Sequence, residues 1–139
     1  MAMDIFVLIA LSKEPDIAYL NEKAKQLNLP IVYNETLDMN QQNGFYPLNL
    51  NGDQSGFEIY KISYEEIIQQ LPEPDAGFID QGVAYHFRYS FSHKEPASAF
   101  YTAALFSTLE NAIVFETQAG EYLSTKQLVT AGNMLFEME

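Results

Sequence analysis

A single α+β domain over residues 1–139, with a mostly antiparallel sheet and helices on one face, is predicted by three observations. Runs that alternate apolar and polar residues are interleaved with runs of helical period, in the order β-α-β-β-β-α and then β-α-β-α. A turn signal at 51–56 between two strand-like runs reads as a hairpin. No linker or convincing repeat divides the chain, and 139 residues suffice for one core but not for two comfortable ones. A ferredoxin-like arrangement, or an elaboration of it, is the expected architecture.

The first strand is "MDIFVLIAL" (3–11). Asp4 precedes its apolar run, and the basic flank and small-residue cleavage site of a signal peptide are missing, so a buried strand is the better reading. A helix is predicted from Ser12 or the residues after it, with Pro15 in the first turn, where a missing N–H costs nothing. Ile17, Leu20, Ala24 and Leu27 give its apolar stripe, and Asn28 and Pro30 end it. "IVY" (31–33) reads as a short strand, and 34–44 as a polar connection.

Residues 45–50 and 57–62 are predicted to form a hairpin. Asn51 to Gly56 would be its loop, of about four to six residues. Pro47 donates no hydrogen bond, which predicts an edge strand or a nitrogen pointing outward. The same stretch offers Asn49, Asn51 and Asp53 at calcium-loop spacing. The turn glycine and the bidentate acid are replaced by Gln54 and Tyr60, so a bend is the reading that stands.

Ser63 and Glu66 form a capping-box pattern, and the short helix they open ends before Pro72. "PEPDAGFIDQG" (72–82) is a loop. "VAYHFRYSFS" (83–92) is a strand with Tyr85, Phe87, Tyr89 and Phe91 on one face and His86, Arg88, Ser90 and Ser92 on the other. A helix over 96–109 is so apolar that it must be covered on more than one side. A strand over 112–116 and a turn at 118–120 follow. A second capping box, Ser124 to Gln127, opens a last helix striped by Leu128, Leu135 and Met138. Gly132 should weaken that helix by about 1 kcal/mol relative to Ala.

The charge of -12, nineteen acids against seven bases, opposes binding to nucleic acid or anionic membrane and favours a cationic protein partner. Solubility alone also accounts for it. No apolar run approaches the length of a membrane span. Zero Cys excludes disulfides and thiolate chemistry and fits a cytoplasmic location. No nucleophile elbow, phosphate loop or metal-ligand spacing is present, so no catalytic residue, no metal and no cofactor is predicted, and the expectation is a protein that is not an enzyme.

Two constellations remain. Glu73, Asp75 and Asp80 surround the apolar pair Phe78 and Ile79 in the 72–82 loop, the composition of an interface anchor with a polar rim or of a plug in the domain's own core. His86 and Arg88, with Glu58 on a neighbouring strand, would form a polar sheet face able to bind an anion or run acid–base chemistry; ordinary cross-strand polar pairs are the plain alternative. The apolar helix 96–109 would also serve a homodimer interface.

The segments "GFYPLNLNGDQSGFEIYK" (44–61) and "ALFSTLENAIVFETQAGEYLS" (104–124) resemble small, uncharacterised bacterial proteins of polymorphic-toxin immunity type. The resemblance transfers no catalytic residues. It implies a cytoplasmic binding protein that covers a toxin surface, and acidic charge suits that role where the toxin is a cationic nuclease.

Overall fold

The computed structural model describes residues 3–41 and 43–138. Seven antiparallel strands form one sheet: β1 (Met3–Ala10), β2 (Ile31–Val32), β3 (Gly44–Leu50), β4 (Asp53–Ile62), β5 (Gly82–Tyr89), β6 (Ile113–Glu116) and β7 (Glu121–Tyr122). Their order is β2-β3-β4-β5-β1-β6-β7. The helices are α1 (Ile17–Gln26), α2 (Tyr64–Ile67), α3 (Glu95–Ser107) and α4 (Thr125–Glu137). The α+β class and the antiparallel sheet are as the alternation predicts.

The alternation sends Ile5, Val7 and Ile9, then Phe57 and Ile59, then Tyr85, Phe87 and Tyr89 to one face, where all are buried. There α3 lies on the sheet, with α1 and α4 packed around it. Every residue of α3 from Pro96 to Phe106 is buried. An all-round apolar helix is thus covered within the chain by the sheet on one side and by helices on the others. This corrects the homodimer role expected of it: no face of α3 is left for a second copy.

Local corrections have local causes. Asp16, not Ser12, caps α1, its carboxylate accepting the Tyr19 N–H at 2.8 Å; Pro15 therefore lies before the helix rather than in its first turn. The hairpin loop is shorter than expected. Asn51 (φ 53°) and Gly52 (φ 89°) alone make the turn, and Asp53, Gln54 and Ser55 join β4. Asn-Gly is the pair that reaches positive φ twice at least cost, and such a turn follows the twist of its strands. The Asn49 side chain accepts the Gly52 N–H at 2.9 Å, so it serves the turn. β5 ends at Tyr89, which leaves Phe91 61% exposed rather than in the core row. Ser63 accepts the Glu66 N–H at 3.3 Å, half of the expected capping box, whereas Ser124 and Gln127 complete theirs. β7, two residues long, has too short an alternation to be read from sequence.

In α4, Leu128 is buried, but Met138 is 74% exposed at the end of the helix. The role of Gly132 also changes. A β-carbon there would lie 2.7 Å from the ring of Tyr101, itself buried in α3 and bonded through its hydroxyl to Asn133. Gly132 lets α3 and α4 approach. Gly132→Ala is therefore expected to lose about 1–3 kcal/mol by overpacking instead of gaining helix propensity. Urea unfolding of the two proteins measures the difference, and a more stable variant would reverse this assignment.

Glu14 joins three elements. Its carboxylate takes Lys61 Nζ at 2.9 Å and the Tyr85 hydroxyl at 2.5 Å, and that hydroxyl also meets Asn40. Partial burial pushes the Glu14 carboxyl up, but the Tyr85 hydrogen bond and Lys61 outweigh it and hold the group below its usual range. A carboxyl with a lowered folded pKa adds stability that is present above the unfolded pKa and is lost as pH falls through the folded one. Glu14→Gln should therefore be less stable than the parent near neutral pH, and the gap should shrink below the usual carboxylate range. Denaturant midpoints at about pH 7 and about pH 3 test this; a gap that persists in acid would assign the effect to packing.

Candidate functional site

The second face of the sheet is covered only in part. Across it, the register stacks side chains into three rows. Ile62, Ala84, Leu8 and Ile113 form an aliphatic row. With Tyr64 and Ile67 of α2, and with Ile68, Leu71, Phe78 and Ile79, they build a second, smaller core. The next row is Tyr60, His86, Phe6, Phe115 and Tyr122. The Phe6 ring stacks on His86 at 4.7 Å, Tyr60 tilts against His86 at 6.1 Å, and Phe115 meets Tyr122 at 5.0 Å. The third row is Phe45, Glu58, Arg88 and Asp4, one residue from each of β3, β4, β5 and β1. Among the described residues, no helix lies over this third row. The face thus runs from aliphatic and covered, through aromatic and half-buried, to charged and open.

Glu58, His86 and Arg88 are brought together as the alternation predicts. Asp4 completes them, its Oδ1 2.6 Å from His86 Nε2 and 3.8 Å from Arg88 Nε. Tyr60 donates its hydroxyl to Glu58, and this bond is the main reason its proton is held more tightly than usual. Sequence reasoning missed Asp4, Phe6 and Tyr60. Their alternation was visible, but the neighbourhood of β1 and β5 is not written in any local pattern. Arg88 stands between two carboxylates, Asp4 and Glu58, so its charge is already matched. That arrangement favours an incoming cation over a free anion. Among the described residues His86 has no hydroxyl partner, so the Asp4–His86 pair orients no nucleophile.

The 72–81 loop borders the same face. Glu73, Asp75 and Asp80 are exposed, while Phe78 and Ile79 are half-buried against the second core. Tyr64 donates to Ile79 O at 2.7 Å, Tyr122 to Pro72 O at 2.5 Å, and the Leu11 N–H to Gln81 O at 3.1 Å. The loop is pinned, with its apolar pair half in the domain and its three acids outward. Burial and then the nearby Tyr64 charge raise the Tyr122 hydroxyl to about 12, so it remains a donor at ordinary pH.

Beyond the charged row, toward the β2 edge, lies a cavity of about 490 Å³. Val32, Phe45 and Pro47 give it apolar walls, and Asn49, Gln54, His93 and Glu95 supply polar groups; among the described residues no Lys or Arg lines it. His93 and Lys94 both have positive φ, 53° and 57°. They are held there from two sides: the His93 carbonyl accepts from Ser55 at 2.8 Å, and Lys94 Nζ reaches Phe136 O at 2.6 Å. His93, exposed at the junction between β5 and α3, is thereby a fixed wall of the cavity.

No protein-family model matches this chain, and neither does any curated protein or solved structure. No helix among the described residues is long and apolar enough to cross a membrane, and no group of three or more acids and histidines among them is placed to hold a metal ion.

Proposed function

We propose that the protein is a small, acidic, cytoplasmic binding protein whose half-open sheet face receives a cationic partner protein, as in the immunity-type proteins its sequence resembles. The observation that carries this is the graded second face. An aromatic row lies beside a charged row, and three exposed acids on the pinned 72–81 loop stand at the border. Aromatic anchors with a charged rim are the composition of protein interfaces, and the net charge of -12 selects a basic surface for the other side. Glu73, Asp75 and Asp80 steer the partner in, and Phe78 and Ile79 support the contact from below.

Zero-length carboxylate-to-amine crosslinking in a lysate of the native host tests it. Basic proteins should be joined to Glu58, Asp75 or Asp80, in amounts that fall as salt is raised. Crosslinks scattered evenly over the nineteen acids, or unaffected by salt, would remove the proposed face. For the identified partner, Asp75→Asn with Asp80→Asn should slow association, because rim charges act chiefly on the on-rate. Phe78→Ala should cost about 1–2 kcal/mol of stability, as a half-buried ring does, and should speed dissociation.

A further inference from the structure

We infer that the outer edge of β3 is a strand-addition site for an extended, Lys- or Arg-bearing segment of the partner. The inference rests on the cationic-partner reading above and adds where and how the contact is made.

The two-residue turn fixes which way each backbone group of β3 points. Leu50 and Asp53 close the hairpin and face each other, so Leu48, Tyr46 and Gly44 also bond inward to β4, while Asn49, Pro47 and Phe45 point outward. On that outer side β2 pairs only with Leu50 and Asn49, and the Asn51 N–H reaches Pro30 O at 2.6 Å. Then β2 stops. The Asn21 side chain takes both backbone groups of Tyr33, accepting its N–H at 2.8 Å and donating to its carbonyl at 3.0 Å. Tyr33 turns inward to bond Thr102 of α3 at 2.7 Å, and the chain leaves the sheet. Among the described residues nothing pairs with the outer edge of β3 after Asn49. Among the described residues the Phe45 N–H and the Phe45 and Pro47 carbonyls have no backbone partner, and they face outward along this lane.

The 490 Å³ cavity runs beside that lane, and among the described residues its lining holds Glu95 but no Lys or Arg. Glu58 stands directly across from Phe45. A strand laid in the lane would take these backbone groups and turn alternate side chains to opposite faces of the sheet. One set would lie beside Phe45, Pro47 and Glu58, which share a face, and the other toward Glu95 at the start of α3. This is main-chain affinity with side-chain selection.

The probe is a blocked ten-residue peptide of alternating Lys and Val, added to the ¹⁵N-labelled full chain at low salt. Binding should shift the Phe45 amide and slow its exchange. Methylating the peptide's backbone nitrogens at every second residue should weaken binding about tenfold in one frame and little in the other, the loss expected for two or so hydrogen bonds. Val32→Lys, at the end of β2 where the lane opens, should weaken it about tenfold more than Met134→Lys, which makes the same charge change on exposed α4. Salt-dependent binding that ignores both methylation frames and leaves the Phe45 amide unprotected overturns the edge site and leaves the cationic reading intact. Absence of any salt-dependent binding overturns that reading as well.

Discussion

Gly56→Ala is expected to unfold the hairpin end of the sheet and to lower stability by about 2–4 kcal/mol. Gly56 has φ 152°, a conformation open to glycine and strained for any residue with a β-carbon. A β-carbon there would lie 2.4 Å from Tyr46 O and 2.5 Å from the Phe45 ring. The first contact is with backbone in the paired strand, so it cannot be relieved by a rotamer change. The second would lift Phe45 from its seat over the glycine, where it forms one wall of the cavity. The loss should therefore appear twice: in the thermal midpoint, and in Phe45 amide exchange. A variant as stable as the parent would show that β3 and β4 do not pair in this register.

Phe106→Ala is expected to cost about 3–5 kcal/mol. Phe106 sits in the last turn of α3 with no exposed surface. Its ring meets Tyr85 at 5.5 Å and Phe87 at 5.7 Å, both edge-on, so the substitution removes two aromatic contacts as well as buried area. The sheet, α1 and α4 surround the site, so the space cannot close by a small shift. Equilibrium unfolding in urea reads the loss directly. A loss below about 1 kcal/mol, the size typical of an exposed position, would mean that α3 is not the centre of the core. The contrast with Phe78 is the useful comparison: both are phenylalanines, but one is enclosed on all sides and the other is packed from one side only.

The sequence by itself determined much of this protein. The alternation in 83–89 chose which residues of β5 face the core, because a strand turns successive side chains to opposite faces. Asn51 and Gly52 carried the hairpin turn, although a longer loop was read from the polar residues that follow. Ser124 and Gln127 wrote the start of α4 in local hydrogen bonds. The all-round apolar character of 96–106 required burial on every side. Glu58, His86 and Arg88 were legible as one polar register. What only the tertiary structure decided is who stands beside whom. Asp4 reaches His86 because β1 is inserted between β5 and β6, a placement set by the packing of distant segments rather than by any local pattern. The early end of β2 depends on Asn21 of a different element. Gly132, unfavourable by helix propensity, is required by the ring of Tyr101. Local interactions are written in neighbouring residues; cross-strand rows, close approaches and open edges arise only when the core has chosen its partners.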